Sequence, residues 1–204
     1  MRMKFVKYSF VLVAFIIGAQ IVQPVNGFAQ KNSSTIKELL EKRNTQVKKL
    51  VGPKGTEYTQ KQRDELKDII NGIIDYHAMA RYALQDTYND LSKEEKDEFV
   101  DLFSTVIRDH SLKNLDIYRA DVKYEQIEVE GDSAVVETLA QLKRVRTPVT
   151  YKMAYDKTSK EWVVTDIIID DVSTAGSYRR QFQNIIKKKG YAHLLKTLRK
   201  KVSA

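Results

Sequence analysis

The side chains able to do chemistry are few and scattered. The 204 residues include no cysteine, which removes disulfides, thiol nucleophiles and thiolate metal sites together. The three histidines, His77, His110 and His193, lack a second metal-type ligand at the i, i+4 spacing of a zinc-binding HExxH helix. Asp109, His110 and Ser111 carry the letters of a proton relay. Adjacent helical residues point about 100° apart, however, and cannot line up for it. Asp166 and Asp170 share a strand parity and could share a cation, although solvation of a strand end explains them as well. An inward-facing Asp166 would allow acid–base chemistry inside an apolar cavity, the one enzymatic reading the residues leave. The eight glycines are isolated, so there is no phosphate-cradling loop. The remaining capacity is non-covalent: large, flexible and apolar groups on periodic stripes, suited to holding an apolar ligand.

Those stripes need elements to position them. Ile36, Leu39, Leu40, Val47, Leu50 and Val51 predict a helix over Ser33 to Val51, broken by Gly52-Pro53-Lys54-Gly55. A second helix is expected from Gln60 to Ile74, and a short third segment from Tyr76 to Leu84. Ser92 and Glu95 form a capping box, opening a helix that buries Phe99, Leu102, Phe103, Val106, Ile107 and Leu115. The apolar period then changes from that of a helix to that of a strand. Val122 to Glu130 and Ser133 to Arg146 read as strands joined by a Gly131-Asp132 turn. Val149, Tyr151, Met153 and Tyr155 alternate with polar or small residues on a two-faced strand. Glu161 to Val172 is the last strand, and its run Ile167-Ile168-Ile169 implies burial on both faces. Tyr178, Phe182, Ile185 and Ile186 mark a long helix closed by Gly190, and Leu194, Leu195 and Leu198 a terminal one over Tyr191 to Val202. Helices, a four-stranded antiparallel meander and helices again make an α+β class.

Charge and the N-terminus bound the setting. The chain is basic, with 35 Lys and Arg against 27 Asp and Glu. From Val172 to Ala204 it holds nine basic residues and no acid. Such an end suits an anionic partner: phosphates, an acidic protein face or a membrane surface. Arg179, Arg180, Lys187, Lys188 and Lys189 are the candidate docking residues. Nucleic acid is disfavoured, because Tyr178, Phe182 and Tyr191 are spaced for a buried stripe and not interleaved for base stacking. Arg2, Lys4 and Lys7 precede an apolar run from Tyr8 to Val22, and Gly27-Phe28-Ala29 offers small residues for cleavage before Gln30. A run of about 15 residues is shorter than the roughly 20 that span a bilayer. The expected organisation is a signal peptide over residues 1–29 and one exported domain over residues 30–204.

Several stretches together resemble the MlaC family, also called the toluene-tolerance family of periplasmic phospholipid carriers. Asp75-Tyr76 and Met79 to Leu84 are similar to its DF…MARRALG, and Leu91 to Glu95 with Glu98 to Phe103 to its LTPEQ…RFVELF. Pro148 to Tyr151 is similar to PVDYR. Trp162 to Ser173 leading into Tyr178 to Phe182 is similar to W-V-DVIIEGVSLV-NYRSQF. Tyr82 stands in place of the second arginine, Asp171 in place of an expected glycine, and Gly176 falls inside the start of the last long helix.

The resemblance implies a cone similar to nuclear transport factor 2, a curved four-stranded antiparallel sheet with helices before and after it. Phospholipid would be the cargo, with no cofactor, no metal and no nucleic acid. The implied partners are an inner-membrane MlaD-type ABC transporter complex and an outer-membrane MlaA-type lipoprotein–porin complex, served by a monomer. The expected lining comes from the helices through Ile73, Met79, Phe99, Phe103, Ile107, Tyr178 and Phe182, and from the sheet through Val149, Tyr151, Met153, Ile167 and Ile169.

Overall fold

The computed structural model describes residues 32–203, so the expected leader and its cleavage point lie outside the described residues. Helix α1 (Ser33–Val51) starts on Asn32, whose side-chain oxygen accepts from the Thr35 N–H at 2.9 Å. This satisfies one of the orphan donors of the first turn. Helices α2 (Gln60–Asn71) and α5 (Lys93–Ser111) open on complete capping boxes, Thr59 with Gln62 and Ser92 with Glu95. Between them lie α3 (Tyr76–Leu84) and the short α4 (Asp86–Asp90), which buries no residue and so has no apolar periodicity to announce it. A single 3-10 turn, Leu115–Arg119, follows α5 and carries Leu115 past the end of that helix.

Helix α2 stops short of its expected end. Gly72 closes it, and the next residues run beside the sheet instead. Val164 N–H donates to Ile73 O at 2.7 Å, and Asp75 N–H donates to Val164 O at 2.9 Å. Ile73 is therefore fixed by a strand and not by a helix.

The strands β1 (Asp121–Glu130), β2 (Ser133–Leu142), β3 (Val145–Asp156), β4 (Glu161–Ile169) and β5 (Val172–Ser173) lie side by side in chain order, each pair antiparallel. Four are the expected long strands; the fifth is an addition of two residues. It arises because the expected last strand does not run through to Val172. Asp170 and Asp171 take φ 48° and 61° and reverse the chain. Glycine adopts that backbone freely, which is the physical reason for the glycine that the resemblance expects at position 171. The second strand likewise ends early, because Lys143 at φ 57° begins a turn. Register shifts at Tyr124/Gln126 and at Lys152/Met153 bend the sheet.

Helices α6 (Thr174–Lys189) and α7 (Tyr191–Val202) close the chain, with Gly190 at φ 80° between them. Gly176 sits in the first turn of α6 because its N–H donates to Ser173 Oγ at 2.8 Å. A β-carbon at that position would stand 2.8 Å from the same oxygen.

The interior is divided. Phe99 and Phe103 of α5 pack with Phe182 of α6, Met79 and Leu84 of α3, and Leu194 and Leu198 of α7. A second cluster sets Ile36 and Leu40 of α1 against Ala134, Val136, Met153, Trp162 and Val164 of the sheet. A third joins α1, α2 and the 3-10 turn through Val47, Val51 and Leu66. One contiguous core is the usual outcome for a domain. Here the buried residues fall into three clusters, with half-buried Ile74 packed against the first two.

Candidate functional site

One face of the sheet looks toward the helices. Cross-strand pairing sets Ala134 opposite Met153, Val136 opposite Tyr151 and Thr138 opposite Val149, and carries the row onto β4 through Val164, Ile167 and Ile169. Burial falls along this row on β3 and β4, while β2 stays buried from Ala134 through Val136 to Thr138. At the β1–β2 turn end, Ala134, Met153, Trp162 and Val164 are all buried. Toward the other end Tyr151, Val149 and Ile167 are half-buried, and Ile169 is 44% exposed. A close-packed layer would bury the whole row. On β3 and β4 the face is therefore fully covered at one end and only partly covered at the other, toward the start of β3. The run Ile167-Ile168-Ile169 lies at that partly covered end and is not buried on both faces.

Tyrosines from all three cores stand close enough to one another beside this face to interact electrostatically. Tyr76 belongs to α3, Tyr118 to the 3-10 turn, Tyr124 to β1 and Tyr151 to β3. Burial is the main cause raising each phenol above its ordinary value of 10.0, and takes Tyr118 to about 12. Mutual repulsion adds to it: Tyr151 raises Tyr118 and Tyr124, and Tyr118 raises Tyr76. The Tyr76 hydroxyl donates to Asn71 Oδ1 at 3.0 Å and the Tyr118 hydroxyl to the Ser111 carbonyl at 3.2 Å. Tyr124 and Tyr151 make no hydrogen bond to a described residue, so their hydroxyls are available to a ligand. Sequence reasoning named only Tyr151, because the four come from distant elements with no shared motif.

These shifts have a measurable sign. Folding favours the neutral phenols, so their contribution to stability is complete below the unfolded value near 10 and is lost as pH rises through the folded values. In an alkaline titration followed by phenolate absorbance, Tyr118 should ionise only at about pH 12, and Tyr76, Tyr124 and Tyr151 well above the ordinary phenol range. A folded protein in which these four ionise at the ordinary phenol value would contradict their desolvation.

The side chains expected to line a cavity are divided by the structure. Val149, Tyr151 and Ile167 occupy the half-buried part of the sheet, with Ile169 at its rim and Ile73 beside β4. Met153 lies at the covered end. Met79, Phe99, Phe103, Ile107 and Phe182 are buried in the helical core, flanked by half-buried Tyr178. The Phe103 ring meets Tyr178 at 4.9 Å and Phe182 at 5.3 Å, both edge-on. That is the arrangement of a filled aromatic core. Helical spacing showed which way these rings face, but not that other rings fill the space before them.

The candidate docking residues are spread along α6. Arg179 lies over the Tyr82 ring at 5.1 Å and donates to its hydroxyl at 3.2 Å, so Tyr82 serves as its stacking partner where the resemblance expects an arginine. Arg180 donates to Ser177 Oγ at 3.0 Å. Lys187, Lys188 and Lys189 are exposed in the last turn, where positive charge complements the helix dipole. Tyr178 and Phe182 pack into the helical core, and Tyr191 against its edge, so none is presented for base stacking.

The catalytic candidates are not assembled. Asp166 is buried, and both its oxygens are occupied: one accepts from Ser173 Oγ at 2.6 Å, the other from Ala175 N–H at 2.9 Å. Its carboxylate thus anchors the N-terminus of α6. Asp170 is exposed in the β4–β5 turn and does not join it. Asp109 pairs with Lys67, and Ser111 bonds Asn71 and the Arg108 carbonyl, so the relay letters point to separate partners. Asp166→Ala should lower stability to urea by about 3 kcal/mol, since it orphans a buried donor and a helix start. A loss below about 1 kcal/mol would contradict the anchoring role.

Comparison with known proteins gives two findings. A family model described as MlaC protein matches residues 41–200. Among solved structures, a phospholipid-binding protein from Ralstonia solanacearum, determined in complex with a phospholipid, superposes with a TM-score of 0.69. It is 18% identical, and the alignment covers 83% of this chain and 96% of that one. No match is found among curated proteins.

Proposed function

The chain belongs to the MlaC family, and from that premise we propose that it is a phospholipid carrier that holds acyl chains in a hollow between the sheet and the helices. The observation that carries the reading is the fall in burial along one sheet face, from Val164 and Met153 to Val149, Tyr151 and Ile169. The sheet side of that hollow would be uncharged, made by the half-buried Tyr124, Val149, Tyr151 and Ile167. Such a wall repays the desolvation of hydrocarbon and offers a few hydroxyls to the polar end of a ligand.

The energetics set what the hollow must do. Each methylene exposed to water costs about 0.8 kcal/mol, so two chains of roughly 28 methylenes cost on the order of 20 kcal/mol free in solution. Apolar burial is non-directional, which makes chains the main source of affinity and the headgroup a minor one. A carrier working in the periplasm, fed by an ABC-transporter-linked inner-membrane complex and an outer-membrane lipoprotein–porin complex, is the role this supports. The signal-like leader fits that setting.

Transfer of a fluorescent phospholipid from donor to acceptor vesicles tests it. Substoichiometric protein should accelerate transfer, and the rate should scale with protein concentration. A rate equal to the protein-free exchange would overturn the carrier role, even for a chain that binds lipid.

A further inference from the structure

The open end of the hollow has a rim of unusual composition. Ile117 is 47% exposed, Val145 65%, Ile169 44% and Val172 56%. They come from the 3-10 turn before β1, the start of β3, the end of β4 and β5, all toward the same end of the sheet. Four of the six large apolar residues exposed among the described residues therefore sit on one rim. Scattered single apolar residues need no explanation, but a cluster at the mouth of an apolar hollow does.

Charge surrounds the most exposed of them. The β2–β3 hairpin carries Lys143, Arg144, Arg146 and Lys152 with no acid from Thr138 to Tyr155. Lys143, Arg144 and Arg146 flank Val145, and none forms an ion pair with a described residue. The Arg146 guanidinium donates only to Gln141 Oε1, at 3.3 Å. Lys143 takes φ 57°, which glycine would adopt without strain, yet the position carries a cation. The hairpin also projects. Ile169 pairs with Val149, so β3 runs four residues past β4 to Val145, roughly 13 Å at the strand rise. Asp170 and Asp171 sit at the shorter β4–β5 turn, where the Asp170 N–H donates to the Pro148 carbonyl at 3.0 Å, three residues back from Val145. Asp116 and Asp121 are paired with Arg119 and Lys48.

We propose that the tip of the β2–β3 hairpin is a contact site for an anionic lipid bilayer, with Val145 entering the headgroup layer and Lys143, Arg144 and Arg146 on lipid phosphates. An apolar residue ringed by unpaired cations is complementary to such a surface and to no neutral one. Contact there seats the mouth of the hollow on the membrane. Acyl chains then pass between the hollow and the bilayer with little exposure to water. The lysines of α6 do not share this surface: Lys187 is thirteen residues beyond the start of α6, roughly 20 Å along the helix.

The proposal rests on the carrier reading for its purpose, and its test separates the two. Purified protein is sedimented with vesicles of equimolar phosphatidylcholine and phosphatidylglycerol, and with vesicles of phosphatidylcholine alone, at low and at high salt. Wild-type protein should bind the anionic vesicles at low salt, release them at high salt, and ignore the neutral ones. Lys143→Gln/Arg144→Gln/Arg146→Gln should lower partitioning on the order of 100-fold, since each cation near an anionic surface contributes about fivefold. Lys187→Gln/Lys188→Gln/Lys189→Gln should partition as wild type. Wild-type binding by the hairpin variant, or loss confined to the α6 variant, would overturn the proposal. So would equal binding to neutral vesicles, or no vesicle binding at all, which would leave a protein partner as the surface's occupant. Bound phospholipid in the purified hairpin variant is counted in parallel. Its presence keeps the carrier reading intact if docking fails, and its absence from wild type would count against the hollow instead.

Discussion

Val149→Trp is expected to empty the protein of phospholipid while leaving it folded. Val149 lies on β3 opposite Thr138 and Ile169, halfway along the row whose burial falls toward the open end. In a filled core the larger ring would force neighbours off their rotamers, at about 1–3 kcal/mol. In a hollow it has room, and occupies volume that acyl chains need. Urea unfolding should therefore shift by less than about 1 kcal/mol, while phospholipid per protein falls at least about tenfold. A strongly destabilised variant that still carries its lipid would place Val149 in a packed core.

Phe103→Ala is expected to do the reverse. Phe103 is fully buried and meets Phe99, Tyr178 and Phe182, with ring centroids at 5.6, 4.9 and 5.3 Å. Truncating such a ring removes its burial and leaves a cavity that its neighbours only partly close, at about 3–5 kcal/mol. Total stability of about 5–15 kcal/mol makes that a large fraction. The molecules that remain folded should keep their phospholipid, because the helical core is separate from the sheet-side hollow. Loss of lipid at unchanged stability would return Phe103 to the lining.

The contrast between these residues shows what was legible in the chain. Helices α1, α3 and α7 fall where their apolar spacing puts them, and Ser92 caps α5 as its box predicts. These features are decided within a few residues, by periodicity and by local hydrogen bonds. The β2–β3 turn was not visible, because Lys143 and Arg144 are not turn-forming residues and take the bend under the pairing of the strands around them. The end of α2 was missed for a related reason. Ile73 and Ile74 continue a helical stripe, but hydrogen bonds to Val164, ninety residues away, draw them to the sheet. The site was harder still. Val149, Tyr151 and Phe103 carry the same signal in sequence, an apolar residue on a buried stripe. Whether that residue meets another ring or empty space depends on how three cores are spaced, which no local pattern records.

The account stands most directly on native mass spectrometry of the protein purified from cells without lipid added. A hollow of this kind predicts a mass excess matching one phospholipid, removed by organic extraction and restored by incubation with phospholipid vesicles. A protein that flies only at its bare polypeptide mass, before and after that incubation, would contradict it.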